Sequence, residues 1–582
     1  MLRKTKIICT LGPSTDDENV LRQIMLSGMD IARLNFSHST YEQHKRRADT
    51  VKRLRAELGL PIALMLDTKG PEIRTGDFAQ PVELKTGDPY TLTTRSVPGT
   101  QKSCSVSFGR LPSEVSKDSR ILIDDGLIEL KVDSATATDI SCTIMNGGRV
   151  SSRKSINVPG AALSLPFISE KDRQDLAFAA REDFDFIAAS FTRDAKDVIS
   201  LRSELEKLNC HKIRIISKIE NAGGVQNIDD IIRLSDGVMV ARGDLGVEIP
   251  FEEIPSIQKK IIRKTLSDGK EVITATQMLD SMIKNPRPTR AETTDVANAI
   301  YDGTSAIMLS GETAAGAYPV SAVRTMAKIA ERTEADIDYV KRFRQCGIGC
   351  RPDVTTAISH ATCTTAHDLG ATAILTVTKS GHTARMISRY RPACPIIGGT
   401  TDPTVLRQMN LCWGVVPVMV EEQNTTEELL NHAIETAKST GIVKDGDLVV
   451  ITAGVPLGMS GTTNLLKVQL AGSVLVTGTS TVKGSAYGNV CVCKTVEDVR
   501  RRFSAGDILV MPETTDELLP YLKAASAIVT EREGTNSHAA VIGMSLNKPV
   551  ITGAKDATRI LRSGTTVMVD ASHGIVYNGK QH

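Results

Sequence analysis

The stretches KIRIISKIENAGG (residues 212–224) and GVMVARGDLGVEIP (residues 237–250) decide the fold. Each is an apolar run of strand length that ends in polar residues and glycine, a pattern typical of a parallel strand buried on both faces. Side chains alternate along a strand, so Lys218 and Glu220 point to the same side at its end, and Asp244 follows the next strand in the matching place. A Lys–Glu salt bridge with Asp244 as a helix cap would explain each residue singly. On consecutive strand ends, the three together favour a site for a divalent cation and a transferred anion.

The first half of the chain repeats this pattern eight times, mostly with helical segments such as EQHKRRADTVKRLRAELG between the runs. Eight βα units predict a (β/α)8 TIM-type barrel, whose active site lies at the C-terminal ends of the strands. The predicted strands are Lys6–Thr10, Ile31–Asn35, Ile62–Asp67, Phe186–Phe191, Arg214–Ile219, Gly237–Ala241, Glu271–Ala275 and Ala306–Leu309.

Polar residues fall at the ends of these runs, where the barrel rule expects functional groups. In strand order they are Arg33, Asn35, Ser37, Asp67, Thr68, Lys218, Glu220, Asp244, Thr276, Ser310 and Glu312.

The repeat is interrupted once, between residues 70 and 166, by short Thr/Ser/Val/Ile runs with turns. Asp125-Gly126 between two apolar runs is a strong hairpin signal. The pattern predicts a small β-domain inserted in a barrel loop, where a lid would lie, between barrel segments 1–69 and 167–345. Arg74 and Lys154 either bring positive charge onto a bound polyphosphate or are solvated surface residues, and spacing alone leaves both interpretations open.

Two further α/β units are predicted, at residues 346–475 and 484–582. In the first, TVTKSGHTARMISRY reads as a strand, a turn and a helix whose start could bind an anion, although capping by Ser380 or Thr383 is the simpler interpretation. The second follows a Gly/Ser/Thr-rich stretch at 478–488 that we interpret as a linker. There His538 is a nucleophile, a phosphate acceptor or a helix cap, and the sequence leaves all three interpretations open.

Composition excludes several classes of protein. A net charge of +2 gives no global field for nucleic acid or membrane, and no apolar run is long enough to span a bilayer. The start of the chain lacks the apolar region of a signal peptide, and the 11 cysteines are scattered, which indicates ordinary thiols in a reducing cytoplasm. Cys346/Cys350 and Cys491/Cys493 are the pairs nearest to metal-ligand spacing.

Nine motifs, in order along the chain, resemble the pyruvate kinase family: CTLGPST, MDIARLNFSH, LMLDTKGPEIRTG, INVPG, ISKIEN, VARGDLGVEIP, TATQMLDSM, NPRPTRAE and MLSGETAAGAYP. The match covers residues 1–475. It implies phosphoryl transfer from phosphoenolpyruvate to ADP, with Mg²⁺ and K⁺, in a homotetramer. The last hundred or so residues resemble the extra C-terminal domain of some bacterial pyruvate kinases, itself similar to the swivelling phosphohistidine domain of phosphoenolpyruvate-utilising dikinases.

The resemblance also implies roles for individual residues. Lys218 would stabilise the phosphoryl group in flight, Glu220 and Asp244 would bind Mg²⁺, and Thr276 or a water that it orders is the candidate proton donor to the enolate. The remaining implied sites are Arg33, Gly243, Asp244 and Thr276 for phosphoenolpyruvate; Asn35, Ser37, Asp67 and Thr68 for K⁺; Asn35, His38, Arg74 and Lys154, with Pro13, for the nucleotide; and Thr378, Lys379, Ser380, Gly381 and Thr383 for an effector phosphate. An acidic residue at Glu72 goes with K⁺ dependence in this family.

Two departures from the family patterns bear on these expectations. His382 stands where an arginine is common in the effector loop, and Glu533 and Asn536 replace residues usual beside the dikinase histidine. An added carboxylate near His538 disfavours a phosphohistidine by like-charge repulsion. Two other functions stay open: a Mg²⁺-dependent aldolase or mutase acting on phosphoenolpyruvate or pyruvate without nucleotide, and a phosphocarrier acting through His538.

Overall fold

The computed structural model describes residues 2–161, 163–345, 353–423, 425–444, 447–454, 463–472 and 474–578. The chain divides into two compact units: unit 1 comprises Met1–His360 and Thr378–Met419, and unit 2 comprises Ala361–Val377 and Val420–His582. Cys346 and Cys350, one of the two cysteine pairs singled out from the sequence, lie outside the described residues.

The strands are numbered in chain order. They are β1 (Lys6–Thr10), β2 (Ile31–Asn35), β3 (Ala63–Asp67), β4 (Ile73–Arg74), β5 (Val82–Leu84), β6 (Pro89–Thr93), β7 (Ser103–Ser105), β8 (Arg120–Ile123), β9 (Ile128–Ala135), β10 (Asp139–Asn146), β11 (Gly148–Val150), β12 (Ser155–Asn157), β13 (Phe186–Ala189), β14 (Arg214–Ile219), β15 (Gly237–Ala241), β16 (Glu271–Ala275), β17 (Ala306–Leu309), β18 (Ala373–Val377), β19 (Ile396–Thr400), β20 (Val415–Met419), β21 (Leu448–Ala453), β22 (Leu465–Leu470), β23 (Val474–Thr477), β24 (Thr479–Val482), β25 (Ser485–Val492), β26 (Ile508–Met511), β27 (Ala527–Thr530), β28 (Val550–Thr552), β29 (Thr566–Asp570) and β30 (Ile575–Asn578).

The α-helices are numbered in the same way. They are α1 (Glu18–Leu26), α2 (Tyr41–Leu58), α3 (Leu111–Glu114), α4 (Glu170–Arg181), α5 (Ala195–Lys207), α6 (Ala222–Gln226), α7 (Ile228–Leu234), α8 (Arg242–Glu248), α9 (Ile254–Ser267), α10 (Arg290–Asp302), α11 (Gly311–Ala314), α12 (Pro319–Asp336), α13 (Tyr339–Gln345), α14 (Val354–Leu369), α15 (His382–Ser388), α16 (Pro403–Met409), α17 (Thr426–Ser439), α18 (Val496–Arg502), α19 (Leu519–Ala524), α20 (His538–Leu546) and α21 (Ala557–Ile560).

Eight parallel strands of unit 1 close into a barrel in the order β1-β17-β16-β15-β14-β13-β3-β2. Alternate residues fill its interior, among them Ile31, Met65, Phe186, Ile216 and Met239, and the intervening residues pack outward against the helices. Strands buried on both faces read as continuous apolar runs, which is why the sequence revealed them. The predicted TIM-type barrel is confirmed.

The fourth barrel strand is shorter than predicted. It ends at Ala189, not at Phe191, because Phe191 adopts a left-handed backbone conformation with φ of 56°. The Ser190 N–H donates to the Thr68 hydroxyl at 3.1 Å and the Phe191 N–H to the Glu220 carboxylate at 2.6 Å, so side chains take the place of a ladder partner for both residues.

The segment between β3 and β13 forms a separate antiparallel layer. Its main sheet has the order β4-β12-β8-β9-β10-β6-β7, with one parallel pair at the β6–β7 edge, and it encloses its own apolar core. The predicted hairpin at Asp125-Gly126 joins β8 to β9, and Asp124, Asp125 and Gly126 all have positive φ. We call this layer the lid.

Residues 378–419 belong to unit 1 and pack on the N-terminal ends of the barrel strands. Arg407 Nε pairs with the buried Asp185 carboxylate at 2.7 Å, and Arg391 donates to the Gly303 carbonyl at 2.9 Å. The parallel pair β19–β20 lies in this segment. Buried polar contacts therefore fix this segment to the N-terminal end of the barrel.

Unit 2 contains the parallel pair β18–β21, extended by antiparallel β22, and a sheet of order β23-β30-β29-β25-β26-β27-β28-β24. The interpretation of residues 478–488 as a linker is wrong, because β24 and β25 run through them. Their Thr, Ser and Gly content resembles a linker, but long-range pairing with β28 and β29 decides their conformation. None of the helices in the described ranges is long and apolar enough to cross a membrane.

Candidate active site

A buried network of alternating charges lies at the C-terminal end of the barrel. Lys218 Nζ is 3.0 Å from Asp67 Oδ1 and 3.0 Å from Glu220 Oε1. Arg33 Nε donates to the other Asp67 oxygen at 2.6 Å, and its Nη1 donates to the Thr10 hydroxyl at 2.8 Å. Two cations and two carboxylates thus neutralise each other in a largely buried place, where the carboxylates are 1% exposed and the cations about 10%.

The network follows from the strand register. Ile216 lines the barrel interior and Lys218 is two residues further along β14, so the lysine points to the same side at the top of the core. The same step leads from Ile31 to Arg33 and from Met65 to Asp67. A polar layer therefore lies directly above the apolar layers of the barrel.

Burial and charge act in opposite directions on these groups. Burial works to raise the pKa of Asp67, but Arg33 and Lys218 outweigh it and hold that pKa below its ordinary value. Burial works to lower the pKa of Lys218, and Asp67 and Glu220 raise it overall, so the ammonium stays charged. Burial is also the main cause that raises the pKa of Glu220 to about 7; Lys218 opposes this rise, and Asp244 and Asp67 add to it.

Asp244 lies in the first turn of α8 and is partly exposed. The interpretation of Asp244 as a helix cap is wrong, since the helix begins after Ala241 and no side chain caps it. Its charge is close enough to Glu220 to raise the pKa of that carboxyl group. Two carboxylates with excess negative charge suit a divalent cation whose other ligands are substrate oxygens and water. Among the described residues no group of three or more His, Cys, Asp or Glu side chains forms a complete metal site.

Ser190 is a member of the network that the sequence analysis missed. Its hydroxyl is 3.0 Å from Asp67 Oδ1 and 2.7 Å from the Thr68 carbonyl, and Lys218 Nζ donates to it at 2.8 Å. Ser190 lies two residues beyond the inward-facing Ala188, so the alternation of β13 could have identified it. Thr10 could have been found in the same way, as the residue two after Ile8.

Thr276 follows β16 in a left-handed conformation, with φ of 68°, and Gln277 follows with φ of 53°. The Thr276 hydroxyl accepts a hydrogen bond from the Gly243 N–H at 2.8 Å and donates to the Ala275 carbonyl at 2.7 Å. The structure thus brings Thr276 together with the start of α8. After β17, the buried Glu312 accepts from the Ser310 N–H at 2.7 Å and from the Leu279 N–H at 3.1 Å, so its carboxylate joins its own loop to the loop after β16.

The ends of β2 and β3 bring together the residues predicted for K⁺. Asn35 and Asp67 are register partners, and the Asn35 amide oxygen accepts from the Ser37 N–H at 3.1 Å. Thr68 is buried beside them, with its hydroxyl 3.1 Å from the Ser190 N–H. His38 follows on the same loop and is exposed, as is Pro13 in the loop after β1.

The two lid cations are neighbours, because Arg74 and Ser155 are partners in the β4–β12 ladder and Lys154 precedes Ser155. Each is held by a carboxylate of the lid. Glu72 Oε2 accepts from Arg74 Nε at 2.9 Å and from Nη2 at 2.6 Å, and Asp124 accepts from Lys154 Nζ at 2.9 Å. A cleft of about 570 Å³ separates the lid from the barrel and is lined by Glu72, Asp125, Asn157, Asp244 and Glu248 among others.

The predicted effector loop lies after β18. Gly381 is the residue before α15, with φ of 73°, and no side chain caps the helix, so the capping interpretation of Ser380 and Thr383 is wrong. The Ser380 carbonyl accepts from Arg214 Nη2 at 2.8 Å, while Thr378 is buried and Lys379 is exposed.

His538 lies at the start of α20 in unit 2, where Ser537 and not the histidine is the cap. Both ring nitrogens have partners: Nδ1 is 2.8 Å from the Thr514 hydroxyl, and Nε2 is 3.0 Å from Asp516 Oδ1. Cys491 and Cys493, in the same unit, are buried free thiols with sulfurs 3.6 Å apart.

A barrel with a buried lysine and two carboxylates at its C-terminal face, beneath a lid that carries two cations, is suited to a phosphotransferase that acts on small phosphorylated substrates. Comparison with known proteins gives the family. Residues 2–323 match the model "Pyruvate kinase, barrel domain", 356–469 match "Pyruvate kinase, alpha/beta domain" and 503–574 match "PEP-utilising enzyme, mobile domain".

Relatives match over the full length. The chain is 48% identical to a pyruvate kinase of Geobacillus stearothermophilus (100% of this chain, 99% of the relative) and 46% identical to that of Bacillus licheniformis, with the same coverage. A crystal structure of a pyruvate kinase from Cryptosporidium parvum superposes with a TM-score of 0.77 at 41% identity, covering 81% of this chain and 96% of that one.

The chain belongs to the pyruvate kinase family, and the resemblance noted in its motifs is confirmed. Its reaction is the transfer of the phosphoryl group of phosphoenolpyruvate to ADP, and the family is metal-dependent. The fold class is confirmed as well, including the C-terminal domain of the phosphoenolpyruvate-utilising type. The aldolase or mutase alternative and the phosphocarrier alternative are not favoured.

Proposed function

We propose that Lys218 is the catalytic cation of this pyruvate kinase and that Glu220 and Asp244 bind Mg²⁺. The single observation that carries the proposal is the buried contact of Lys218 with Asp67 and Glu220, both at 3.0 Å. Phosphoryl transfer depends on positioning and on neutralising the charge of the equatorial oxygens. When bound, Mg²⁺ would supply the Lewis acid that draws charge from the phosphoryl and enolate oxygens. Lys218 would hold an equatorial oxygen between the donor and the acceptor.

Arg33 would bind the phosphate end of phosphoenolpyruvate. Its Nη2 is not used in the contacts to Asp67 and Thr10, and Arg offers a planar fork that matches phosphate geometry. The N–H groups of Gly243 and Asp244 and the hydroxyl of Thr276 would bind the carboxylate. The Gly243 N–H now donates to the Thr276 hydroxyl, so both groups already lie side by side. A bound carboxylate would accept the hydrogen bond of the Gly243 N–H in place of that hydroxyl.

The enolate that remains after transfer must gain a proton on carbon. We assign this step to the Thr276 hydroxyl or a water that it orders. The O–H bond of that group breaks, its proton forms the new C–H bond of pyruvate, and the oxygen regains a proton from solvent. Thr276 lies at the end of β16 beside Gly243, on the substrate side of the barrel, which supports the assignment.

Asn35, Ser37, Asp67 and Thr68 would form a K⁺ site with oxygen ligands at the ends of β2 and β3. On the nucleotide side, Arg74 and Lys154 would contact the phosphates from the lid (residues 70–166), with Asn35, His38 and Pro13 beside the nucleotide. The adjacency of β4 and β12, which puts both cations on one edge of the lid, supports a shared polyphosphate ligand.

Regulation and assembly complete the proposal. Thr378, Lys379, Ser380, Gly381 and Thr383 would bind the phosphate of a metabolite that acts as an effector, within an α/β domain spanning residues 346–475. The enzyme would be a cytoplasmic homotetramer.

Residues 484–582 would support assembly or stability and would not carry a phosphoryl group. Both ring nitrogens of His538 already have hydrogen-bond partners, and the barrel needs no phosphoryl relay.

Steady-state assays test the ionic requirements directly. Turnover of phosphoenolpyruvate and ADP should need a divalent cation and should fall sharply when K⁺ is replaced by Na⁺. Glu72→Lys should relax the K⁺ requirement by placing a fixed positive charge near the site, whereas Glu72→Gln, which adds no cation, should not. Because Glu72 also holds Arg74, both variants should change the KM for ADP. Full activity of the parent enzyme in Na⁺ alone would contradict the K⁺ site.

A further inference from the structure

Two consecutive residues beside the substrate site have a strained backbone. Thr276 and Gln277 both have φ in the left-handed region, at 68° and 53°. A β-branched residue such as Thr is a true outlier there, and such conformations persist only where their surroundings enforce them. The strain must therefore be balanced by specific contacts, and the question is which residue supplies them.

Arg242 supplies contacts on both sides of Thr276. Its Nη2 donates to the Thr276 carbonyl at 2.7 Å, and its Nε contacts the Ala275 carbonyl at the longer distance of 3.4 Å. These carbonyls belong to the peptide groups that flank the Thr276 Cα, so fixing both restricts φ and ψ of Thr276. The next residue in the chain, Gly243, donates its N–H to the Thr276 hydroxyl. One short segment thus holds the backbone and the side chain of Thr276.

Asp295 anchors the guanidinium from the opposite side. Arg242 Nη1 donates to Asp295 Oδ1 at 2.7 Å, and the arginine side chain is only 11% exposed. Asp295 lies on α10, which begins with a Thr289–Glu292 capping box and is therefore fixed at its start. A planar fork can contact a carboxylate and a carbonyl at once, which a lysine ammonium cannot do in the same geometry.

We propose that Arg242 is a positioning residue, anchored by Asp295, which holds Thr276 in the conformation that presents its hydroxyl to the bound substrate. The inference rests on the proposed role of Thr276 in binding and protonation. It assigns to this arginine and carboxylate a part in the proton-transfer half of the reaction, although neither touches the substrate.

The test compares Arg242→Met with Thr276→Ala and with the double variant. Three quantities are measured: kcat for pyruvate formation, the KM for ADP, and the rate at which pyruvate methyl protons exchange with deuterium in D₂O, followed by proton NMR. Arg242→Met should lower methyl-proton exchange about 100-fold, the cost expected for misplacing a reacting group by about an ångström. The KM for ADP should stay within about twofold, because Thr276 takes no part in nucleotide binding.

The double variant identifies the route of the effect. If Arg242 acts through Thr276, Arg242→Met should cost less than about threefold more in the Thr276→Ala background. Arg242→Lys should recover part of the lost rate, and Asp295→Asn should show a smaller loss of the same kind. Arg202→Met is a matched control: it removes an Arg–Asp contact of 2.7 Å and a carbonyl contact near the N-terminal ends of the strands, and it should leave exchange unchanged.

The outcomes separate the two claims. A Thr276→Ala enzyme with normal exchange would overturn the role of Thr276 and the inference with it. A defective Thr276→Ala enzyme beside a normal Arg242→Met enzyme, or losses that multiply in the double variant, would overturn the inference alone. If Arg242→Met does not fold, Arg242→Lys and Asp295→Asn in both Thr276 backgrounds give the same comparison.

Discussion

Replacing Lys218 by Met tests the centre of the mechanism. Met keeps the length of the side chain but removes the ammonium group that lies 3.0 Å from both Asp67 and Glu220. A single cation that meets transition-state charge in phosphoryl transfer is worth about 10³–10⁵ in kcat, which corresponds to roughly 4–7 kcal/mol in the barrier. We expect a loss of that size, with phosphoenolpyruvate still bound through Arg33 and the carboxylate contacts.

The structure also predicts a loss of stability, which must be separated from the loss of rate. Asp67 keeps its contact with Arg33, whereas among the described residues Glu220 would keep a single partner, the Phe191 N–H. Breaking a buried ion pair by removing one partner costs about 3–5 kcal/mol. If Lys218 were only structural, the folded fraction of the variant would turn over normally, and the whole effect would appear in thermal unfolding.

Lys6→Met is the matched control for this experiment. Lys6 is also a buried lysine on a barrel strand, at the opposite end, where its Nζ donates to the Val415 carbonyl at 2.7 Å. Its removal should lower stability without lowering kcat. Pyruvate formation coupled to lactate dehydrogenase gives kcat, and calorimetric titration with phosphoenolpyruvate gives binding. A Lys218→Met enzyme with kcat within tenfold of the parent would refute the reasoning.

Three further predictions concern other parts of the chain. A phosphorylated metabolite should lower the apparent KM for phosphoenolpyruvate. Ser380→Asp should weaken this activation by repelling the phosphate, whereas the uncharged Ser380→Asn should not. If no phosphorylated compound changes the KM, the effector site is wrong. His538→Ala should leave kcat nearly unchanged, and a large loss together with acid-labile phosphate on the parent protein would reverse this view. Burial lowers the pKa of His44 to about 4, so the folded state binds fewer protons than the unfolded state between about pH 6.5 and pH 4, and stability falls as pH drops through that window. At pH 5, His44 should lower the free energy of unfolding by about 2 kcal/mol. The thermal midpoint of the parent should therefore fall more between pH 7 and pH 5 than that of His44→Phe. Equal falls would show that His44 does not titrate in this way.

The barrel could be predicted from the sequence because its strands are buried on both faces and leave continuous apolar runs. Seven of the eight predicted runs match the observed strands to within one residue at each end, and only the run ending at Phe191 was too long. In the exception, the Phe191 N–H donates to the carboxylate of Glu220, which follows another strand of the barrel. Apolar character within one run cannot report a contact of that kind.

The site was less accessible to sequence reasoning. Lys218 and Glu220 stand out by their spacing, and Ser190 and Thr10 could have been found by continuing the inward register of their strands. Arg242 could not be found in this way, because nothing in VARGDLGVEIP indicates that its side chain contacts the carbonyls of Ala275 and Thr276 at the end of the next strand.

The extent of the C-terminal sheet also could not be predicted. In unit 2, β23 and β24 belong to that sheet, so a truncation near Lys483 would remove only part of it, and a truncation that removes the whole sheet would end before Val474.

Each lid cation is already paired with a lid carboxylate, Arg74 with Glu72 and Lys154 with Asp124. If these cations bind the nucleotide as proposed, each phosphate would have to compete with the carboxylate that its cation now contacts. A ligand with two linked phosphates can displace both carboxylates in one event, whereas a monophosphate can displace only one, so the lid would select for chain length of the phosphate group. Because each cation is neutralised by its carboxylate before the ligand arrives, the lid attracts an anion over long distances only weakly, and the affinity for nucleotide should depend on ionic strength less steeply than it would with two bare cations.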